Sequence, residues 1–367
     1  MCTTIISRIA CLKKLPGKSL QLFSGLIFFL VGCKSDKQGV IPEVANEIRF
    51  EKPAHFPEPL YNFKQNPVTK DGFELGRALF YEPKLSGDNS ISCGFCHQQS
   101  AGFTHHGHSV SHGIFDQTGH RNSPPVMNLA WSRFFTWDGG VFDLDLFSIV
   151  PITNPIEMGE DIHRVLDKLK ADPKYPPRFE KAFGSKEITS AKMYMALSQF
   201  MLMCVSANSK YDQWKTGKGA SMTEEELSGY TLVQKKCGKC HSGELFTDGN
   251  FHNNGLGQGR LKEDLGRQAI TLNLDDNRKF KVPSLRNLGY TAPYMHDGRF
   301  LTIDAVLNFY SGGVKDSPQL DSTLRHIGGV GIPLTNEEKQ KIKVFLETLN
   351  EPAFKSKYEL SEYAAFP

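Results

Sequence analysis

Hydrophobic positions along this 367-residue chain fall at helical rather than strand spacing. Met193, Leu197, Phe200, Met201 and Cys204 stand at i, i+4, i+7, i+8 and i+11, one face of a helix. Thr189 precedes them where an N-cap belongs. Ile342, Phe345, Leu346 and Leu349 repeat the face at i, i+3, i+4 and i+7, behind a capping box of Thr335 and Glu338. Thr223 and Glu226 form a second box ahead of Leu227 and Tyr230. Helical patterning begins near residue 68, and strand-like alternation is scarce, so the expected class is mainly α. Residues 205–222 are polar and contain glycine, and read as a linker.

The N-terminus has a different pattern. Leu20 to Val31 is a short apolar run behind Lys13, Lys14 and Lys18. It is shorter than the roughly 18–20 apolar residues a spanning helix needs and matches the core of an export signal. It ends Leu30-Val31-Gly32-Cys33, which resembles a bacterial lipobox with Cys33 as the lipidated residue; an ordinary signal peptide with an incidental cysteine is the alternative. The expected order is a signal peptide over 1–32 and a lipidated cysteine with tether over 33–60. The tether contains Pro42, Pro53, Pro57 and Pro59. The mature chain is then expected in the periplasm, held to a membrane only by lipid.

Charge follows from that processing. The chain has 43 Lys and Arg against 40 Asp and Glu, but residues 1–32 hold four of the bases and no acid. The remainder carries 39 against 40, a net of −1. That excludes nucleic-acid binding, which needs a concentrated basic surface, and makes long-range steering of a charged partner weak.

Two motifs carry chemistry. Cys93-Gly94-Phe95-Cys96-His97 and Cys237-Gly238-Lys239-Cys240-His241 both match C-x-x-C-H, the c-type haem attachment pattern. Two thiols at this spacing add to the two vinyl groups of one haem, and the adjacent imidazole reaches the iron. Export agrees, because bacterial haem c is attached outside the cytoplasm; a zinc or thioredoxin-like C-x-x-C is the alternative. Phe103-Thr104 follows the first motif and Phe246-Thr247 the second, so the chain reads as two copies of one helical unit. The expected domains span 61–210 and 211–355, each with one covalent haem. Cys204 reads as a buried core thiol. A haem with two strong axial ligands only passes electrons, whereas one with a displaceable sixth ligand does chemistry. The sixth ligands therefore decide the function.

Beyond these motifs the chain contains Ser111-His112-Gly113, Arg121-Asn122-Ser123-Pro124, Phe135-Thr136-Trp137-Asp138-Gly139 and Asn154-Pro155-Ile156-Glu157-Met158. Pro283-Ser284-Leu285-Arg286-Asn287 and Thr291-Ala292-Pro293-Tyr294-Met295-His296-Asp297-Gly298 follow the second motif. In this order, over roughly residues 70–350, the segments closely resemble the bacterial dihaem cytochrome c peroxidase family. That family includes the methylamine dehydrogenase maturation enzyme as a divergent branch. The resemblance implies two cytochrome c-like helical domains, a peroxidatic N-terminal haem, an electron-transfer C-terminal haem and a calcium ion between them.

The resemblance also implies residue roles. His97 and His241 are the proximal ligands. His112 is the distal histidine that blocks the peroxidatic iron and leaves on activation, with His105, His106 and His108 as nearby rivals. Glu157 is the distal acid–base and Trp137 the indole relay between the haems. Asn122, Thr291 and Pro293 match the calcium positions, a sparse set that water must complete. One position departs from the family pattern. Where most relatives have a methionine ligand, 14 residues after His296, this chain has Tyr310, as in the maturation branch; Met295 is the rival ligand.

Three functions follow from these readings. The first is reduction of hydrogen peroxide with electrons from a small cytochrome c or cupredoxin. The second is oxidation of a partner protein, as in the maturation branch, which Tyr310 favours and His112 opposes. The third is electron carriage without chemistry, which leaves Glu157 without a role. The first is the expected one. The sequence leaves the donor and a homodimer open.

Overall fold

The computed structural model describes residues 48–259 and 263–363. The signal segment, Cys33 and the tether up to residue 47 lie outside the described residues. Among the described residues the fold is mainly helical: α1 (Lys70–Phe80), α2 (Cys93–Cys96), α3 (Leu144–Phe147), α4 (Ile149–Thr153), α5 (Ile162–Ala171), α6 (Tyr175–Phe183), α7 (Ser190–Met203), α8 (Lys210–Lys215), α9 (Glu224–Lys236), α10 (Gln268–Thr271), α11 (Ile303–Asn308) and α12 (Asn336–Glu347). Two antiparallel ribbons of two residues per strand complete it. In the first, β1 (Phe251–His252) pairs with β2 (Phe280–Lys281); in the second, β3 (Arg325–His326) pairs with β4 (Gly329–Val330). No described helix is long and apolar enough to cross a membrane.

The helix ends form where the capping residues sit. The Thr189 hydroxyl accepts from Lys192 N and starts α7. Thr223 with Glu226 and Thr335 with Glu338 form complete capping boxes on α9 and α12. Buried phenylalanines and leucines of α1 and α7, with Val165, Leu169 and Phe179 of α5 and α6, make the first core. Tyr211, Val233, Phe246, Leu307, Ile342 and Phe345 make the second. A small third cluster, including Leu256 and Phe309, flanks it.

Each core is organised by one helix crossing, and the two crossings are alike. At Gly76 of α1 an added Cβ would collide with the Ala196 carbonyl of α7 and lie 3.0 Å from Phe200 Cβ. At Gly229 of α9 it would collide with the Lys341 carbonyl of α12 and lie 2.8 Å from Phe345 Cβ. In each pair a glycine lets the helix backbones touch and a phenylalanine fills the space beside it. This explains why Leu227, expected on the apolar face, is exposed: the buried face of α9 is set by Gly229 and Val233.

Residues 205–222 differ from the linker expected there. They carry α8, capped by a Ser209–Asp212 box. Asp212 is buried and accepts two hydrogen bonds from the fully buried Arg286, at 2.9 and 2.8 Å, and lies 2.8 Å from His55 Nε2. One of the polar residues that suggested a solvated connection, Asp212, belongs to an internal ion pair. The C-terminal segment also crosses over. Phe354 and Leu360 complete the first core, Arg77 donates to the Glu359 carbonyl at 2.9 Å, and Tyr81 donates to the Leu360 carbonyl at 2.8 Å.

Overpacking a close helix contact costs about 1–3 kcal/mol. Gly76→Ala and Gly229→Ala should each lower the denaturation midpoint by that amount while both haems stay attached. A midpoint equal to that of the unmodified protein would show that the helices can separate at no cost.

Candidate active site

Each attachment motif is a short helical turn that delivers its histidine to a fixed carbonyl. His97 N–H donates to Cys93 O at 2.9 Å, and His97 Nδ1 donates to Phe103 O at 3.0 Å. In the second copy His241 N–H donates to Cys237 O at 2.9 Å, and Nδ1 donates to Phe246 O at 3.1 Å. Phe103 and Phe246 are fully buried and both have positive φ, +63° and +51°. The left-handed turn aims each carbonyl at the ring, and burial of the phenyl holds the turn in place. Burial lowers the pKa of both imidazoles. Each is therefore neutral, with its proton on Nδ1 and its Nε2 lone pair available to a metal.

The thiols Cys93, Cys96, Cys237 and Cys240 are unpaired. The second motif opens on a cavity of about 370 Å³ whose wall surface is mainly apolar, with Val282, Leu307, Ile332 and Leu346 among its lining residues. Two thiols, a neutral imidazole and an apolar cavity fit a covalently held haem. Cys204 is buried at the end of α7, its thiol directed at Phe200 O at 3.6 Å, and takes no part.

Around the first motif, the Ser-His-Gly loop and the Glu157 segment are locked together. An alanine Cβ at Gly113 would collide with the Ile156 carbonyl and lie 2.6 Å from the Glu157 carbonyl. Ile114 N–H donates to that Glu157 carbonyl at 2.8 Å. The Cys96 thiol lies 3.7 Å from the His112 carbonyl. Glu157 is half-buried and accepts one hydrogen bond, from Asn154 Nδ2 at 2.9 Å. Burial raises its carboxyl above the usual range, against a lowering effect of Asn154. Burial also raises the Cys93 and Cys96 thiols, and the nearby Glu157 charge adds to both.

His112 Nδ1 is 2.6 Å from Asp116 Oδ1, which leaves Nε2 free. Its rivals are close: the His108 ring lies 5.0 Å from His112 and 5.2 Å from His105. His105 is buried with its Nδ1 lacking a partner. His106 is exposed and contacts Ser100 Oγ at 3.3 Å.

Around the second motif one cavity gathers most of the remaining expected residues. Trp137, Asn122, Thr291, Pro293, Met295 and Tyr310 all line it. Trp137 Nε1 donates to Asn122 O at 2.7 Å, and Asn122 Nδ2 donates to Ser109 O at 3.2 Å, which leaves the Asn122 side-chain oxygen as acceptor. Asn254, which the sequence reading missed, contacts both candidate ligands: its Nδ2 is 3.3 Å from Tyr310 Oη and 3.7 Å from Met295 Sδ. Tyr310 lies in a π-helical turn over Phe309–Gly313, a distortion that recurs at functional sites. Burial raises its phenol to about 12, so a metal there would have to displace the proton. His296 also lines the cavity, where it stacks on Phe280 with ring centroids 3.6 Å apart.

A charge cluster absent from the expected set ties the two halves together. Arg121 donates to Asp138 at 2.5 Å and to both oxygens of Asp264 at 2.9 and 2.7 Å. Its guanidinium carbon also lies 5.5 Å from the Phe280 ring centre. Burial opposes the charge on both carboxylates, yet hydrogen bonds from Thr136 and Arg121 to Asp138, and from Arg121 to Asp264, hold both below the usual range. Arg121 and Asp138 lie inside motifs already singled out. Nothing local marks Asp264, which is 143 residues from its partner.

A family model described as di-haem cytochrome c peroxidase matches residues 70–220. The methylamine utilization protein MauG of Methylorubrum extorquens is 37% identical over 316 residues, 84% of this chain and 86% of the relative. The cytochrome c551 peroxidase of Nitrosomonas europaea is 34% identical over 305 residues, 81% of this chain and 86% of the relative. Among solved structures, a MauG-like protein associated with microbial copper homeostasis superposes with a TM-score of 0.77 at 31% identity, covering 86% of this chain and 99% of the other.

Removing one partner of a buried ion pair typically costs about 3–5 kcal/mol. Because Arg121 is partly exposed, Arg121→Met should cost about 3 kcal/mol, read as a lower denaturation midpoint at neutral pH. Carboxylates with depressed pKa contribute stability that is present above their unfolded pKa and lost as the pH falls through the folded value. Acidification below pH about 4 should therefore destabilise the unmodified protein more steeply than the variant. Parallel pH–stability curves would show that the cluster contributes nothing.

Proposed function

Because the chain belongs to the di-haem cytochrome c peroxidase family, we propose that it reduces hydrogen peroxide to water with electrons from a small periplasmic cytochrome c or cupredoxin. One peroxide, two electrons and two protons give two waters. The haem iron, when bound, supplies the redox equivalents and a coordination position for peroxide. The observation that carries the proposal is Glu157, a half-buried carboxyl of raised pKa beside the Cys93 and Cys96 thiols. A carboxylate there takes the proton from the nearer peroxide oxygen and returns it to the leaving one, the work of a general acid–base. Asn154 orients it through the 2.9 Å hydrogen bond.

The other residues take supporting roles in this reading. His97 and His241 hold the irons from the proximal side through Nε2. His112, whose Nε2 is left over by the Asp116 contact, would be the residue that blocks the first iron at rest, and its loop would have to shift for peroxide to enter. Trp137 carries electrons from the second site to the first, with its indole held by the Asn122 carbonyl. The Asn122 side chain and the Thr291 and Pro293 carbonyls would hold a calcium ion, a sparse set that water would have to complete. The protein works in the periplasm, tethered through lipid on Cys33.

A second reading has one specific observation behind it. Tyr310 and Met295 share the second cavity, and Tyr310 is the residue at the ligand position of the maturation branch. With Tyr310 as the ligand, the second haem is tuned for oxidising a partner protein, since an anionic oxygen stabilises ferric iron and a thioether ferrous.

Two experiments test these roles. Glu157→Gln should keep both haems and lower kcat/KM for peroxide about 10²–10⁴-fold. The rise of activity with pH through the raised carboxyl pKa should disappear with it. Unchanged kcat/KM would remove Glu157 from the reaction. Tyr310→Phe should raise the potential of the second haem, and Met295→Leu should leave it alone. The reverse result, with a near-infrared sulfur-to-iron band that Met295→Leu abolishes, would make Met295 the ligand and end the case for the second reading.

A further inference from the structure

Lys281 is a half-buried cation of the second cavity. Its backbone is fixed from two sides. It pairs with Phe251 in the β1–β2 ribbon, and its N–H donates to the Trp137 carbonyl at 2.8 Å. Its side chain lines the cavity that also holds Cys237, Cys240, His241 and Trp137. Among the described residues the ammonium reaches Ser132 Oγ, at a long 3.4 Å, and that hydroxyl donates its own proton to Phe134 O at 2.8 Å. Among the described residues no carboxylate pairs with it. The contrast with Lys279 is direct, since that amine reaches Asp276 at 3.1 Å. Burial alone lowers the Lys281 ammonium to about 8, with no neighbouring acid to restore it.

The side chain is half-buried, and an ammonium drawn out of water without a counter-charge is destabilising. Proteins keep such groups where an anion completes the site. Asp321, the carboxylate among the described residues lining this cavity, is already engaged by His252 Nδ1, so the anion must arrive with whatever fills the cavity. A haem held by Cys237 and Cys240 brings two propionate carboxylates, and the two thioether bonds and His241 fix its orientation in the cavity. We propose that Lys281 is a carboxylate-binding site on the cavity wall that pairs with a propionate of this second haem. The pairing positions the macrocycle edge beside Trp137, because the same lysine is bonded through its N–H to the Trp137 carbonyl. It is a positioning residue that acts on the haem potential through charge.

Potentiometric titration of the holoprotein, with both haems attached and resolved by their spectra, tests this. Removing a cation from beside a propionate leaves a negative charge that favours ferric iron. Lys281→Gln should therefore shift the second haem to lower potential and leave the first unchanged, and Lys281→Arg should restore most of the shift. A second-haem potential in Lys281→Gln equal to that of the unmodified protein would overturn the proposal. Where Lys281→Gln fails to mature, resonance Raman of the unmodified protein supplies the readout. A propionate bonded to an exchangeable N–H should show a bending band that moves in D₂O and moves again in Lys281→Arg. A band indifferent to both would also overturn it. Titration in chloride and in phosphate separates the other source of an anion. Potentials independent of either salt support the propionate, whereas a dependence confined to the second haem assigns Lys281 to a diffusible anion and overturns the pairing.

Discussion

The hydrogen bond from each motif histidine to the carbonyl of a buried phenylalanine is the constraint on which the rest depends. It fixes three things at once: the tautomer, the direction of the free nitrogen, and the distance between the attachment turn and the core. Its acceptor is available only because Phe103 and Phe246 adopt left-handed backbone with their rings fully buried. Such strain persists where surrounding packing over-determines it. Phe103 is packed by Phe80, Phe200 and Phe354, and Phe246 by Tyr211 and Phe345. The helix crossings at Gly76 and Gly229 bring Phe200 and Phe345 to those positions. A close contact between two helices thus controls where an imidazole lone pair points.

Between the two copies, structure and charge work on the same few residues. Asn122 holds the Trp137 indole through its carbonyl, and its own N–H donates to the His296 carbonyl at 2.7 Å. Arg121, next in sequence, bonds Asp138 beside that tryptophan and Asp264 beyond it. At Gly298 any side chain would collide with Ser109, so the His-Asp-Gly turn is pressed against the loop that precedes Asn122. The region between the two motifs is therefore a rigid, hydrogen-bonded floor. The distance over which electrons would travel is set by covalent geometry and a handful of short hydrogen bonds.

Local chemistry was legible in the sequence and distant pairing was not. The C-x-x-C-H motifs, the Thr223–Glu226 and Thr335–Glu338 boxes and the Phe-Thr echo depend on neighbours within a few residues, and each stands where its spacing implies. The echo also acquired a cause, since its phenylalanines supply the carbonyls that accept from the two histidines. Gly76 and Gly229 were invisible because a glycine that allows contact looks like one that breaks a helix. Asp212 with Arg286, and Arg121 with Asp264, are separated by 74 and 143 residues, so a polar stretch with a buried partner read as a linker. Lys281 lies two residues before a recognised motif, yet only the cavity around it reveals that its charge lacks a partner.

The C-terminal segment bears on how this chain reaches its folded state. Arg77 and Tyr81 are anchored to carbonyls 282 and 279 residues away, and Phe354 closes over Phe103. The entropic cost of closing such a loop grows slowly, by about 0.6 kcal/mol per doubling of its length, but contacts of this range slow folding. The core that surrounds the first attachment turn cannot close until almost the whole chain has emerged. Order of synthesis and order of assembly are thereby uncoupled: the half made first is the half sealed last, and Cys93 and Cys96 stay open to covalent chemistry for as long as the final residues are missing.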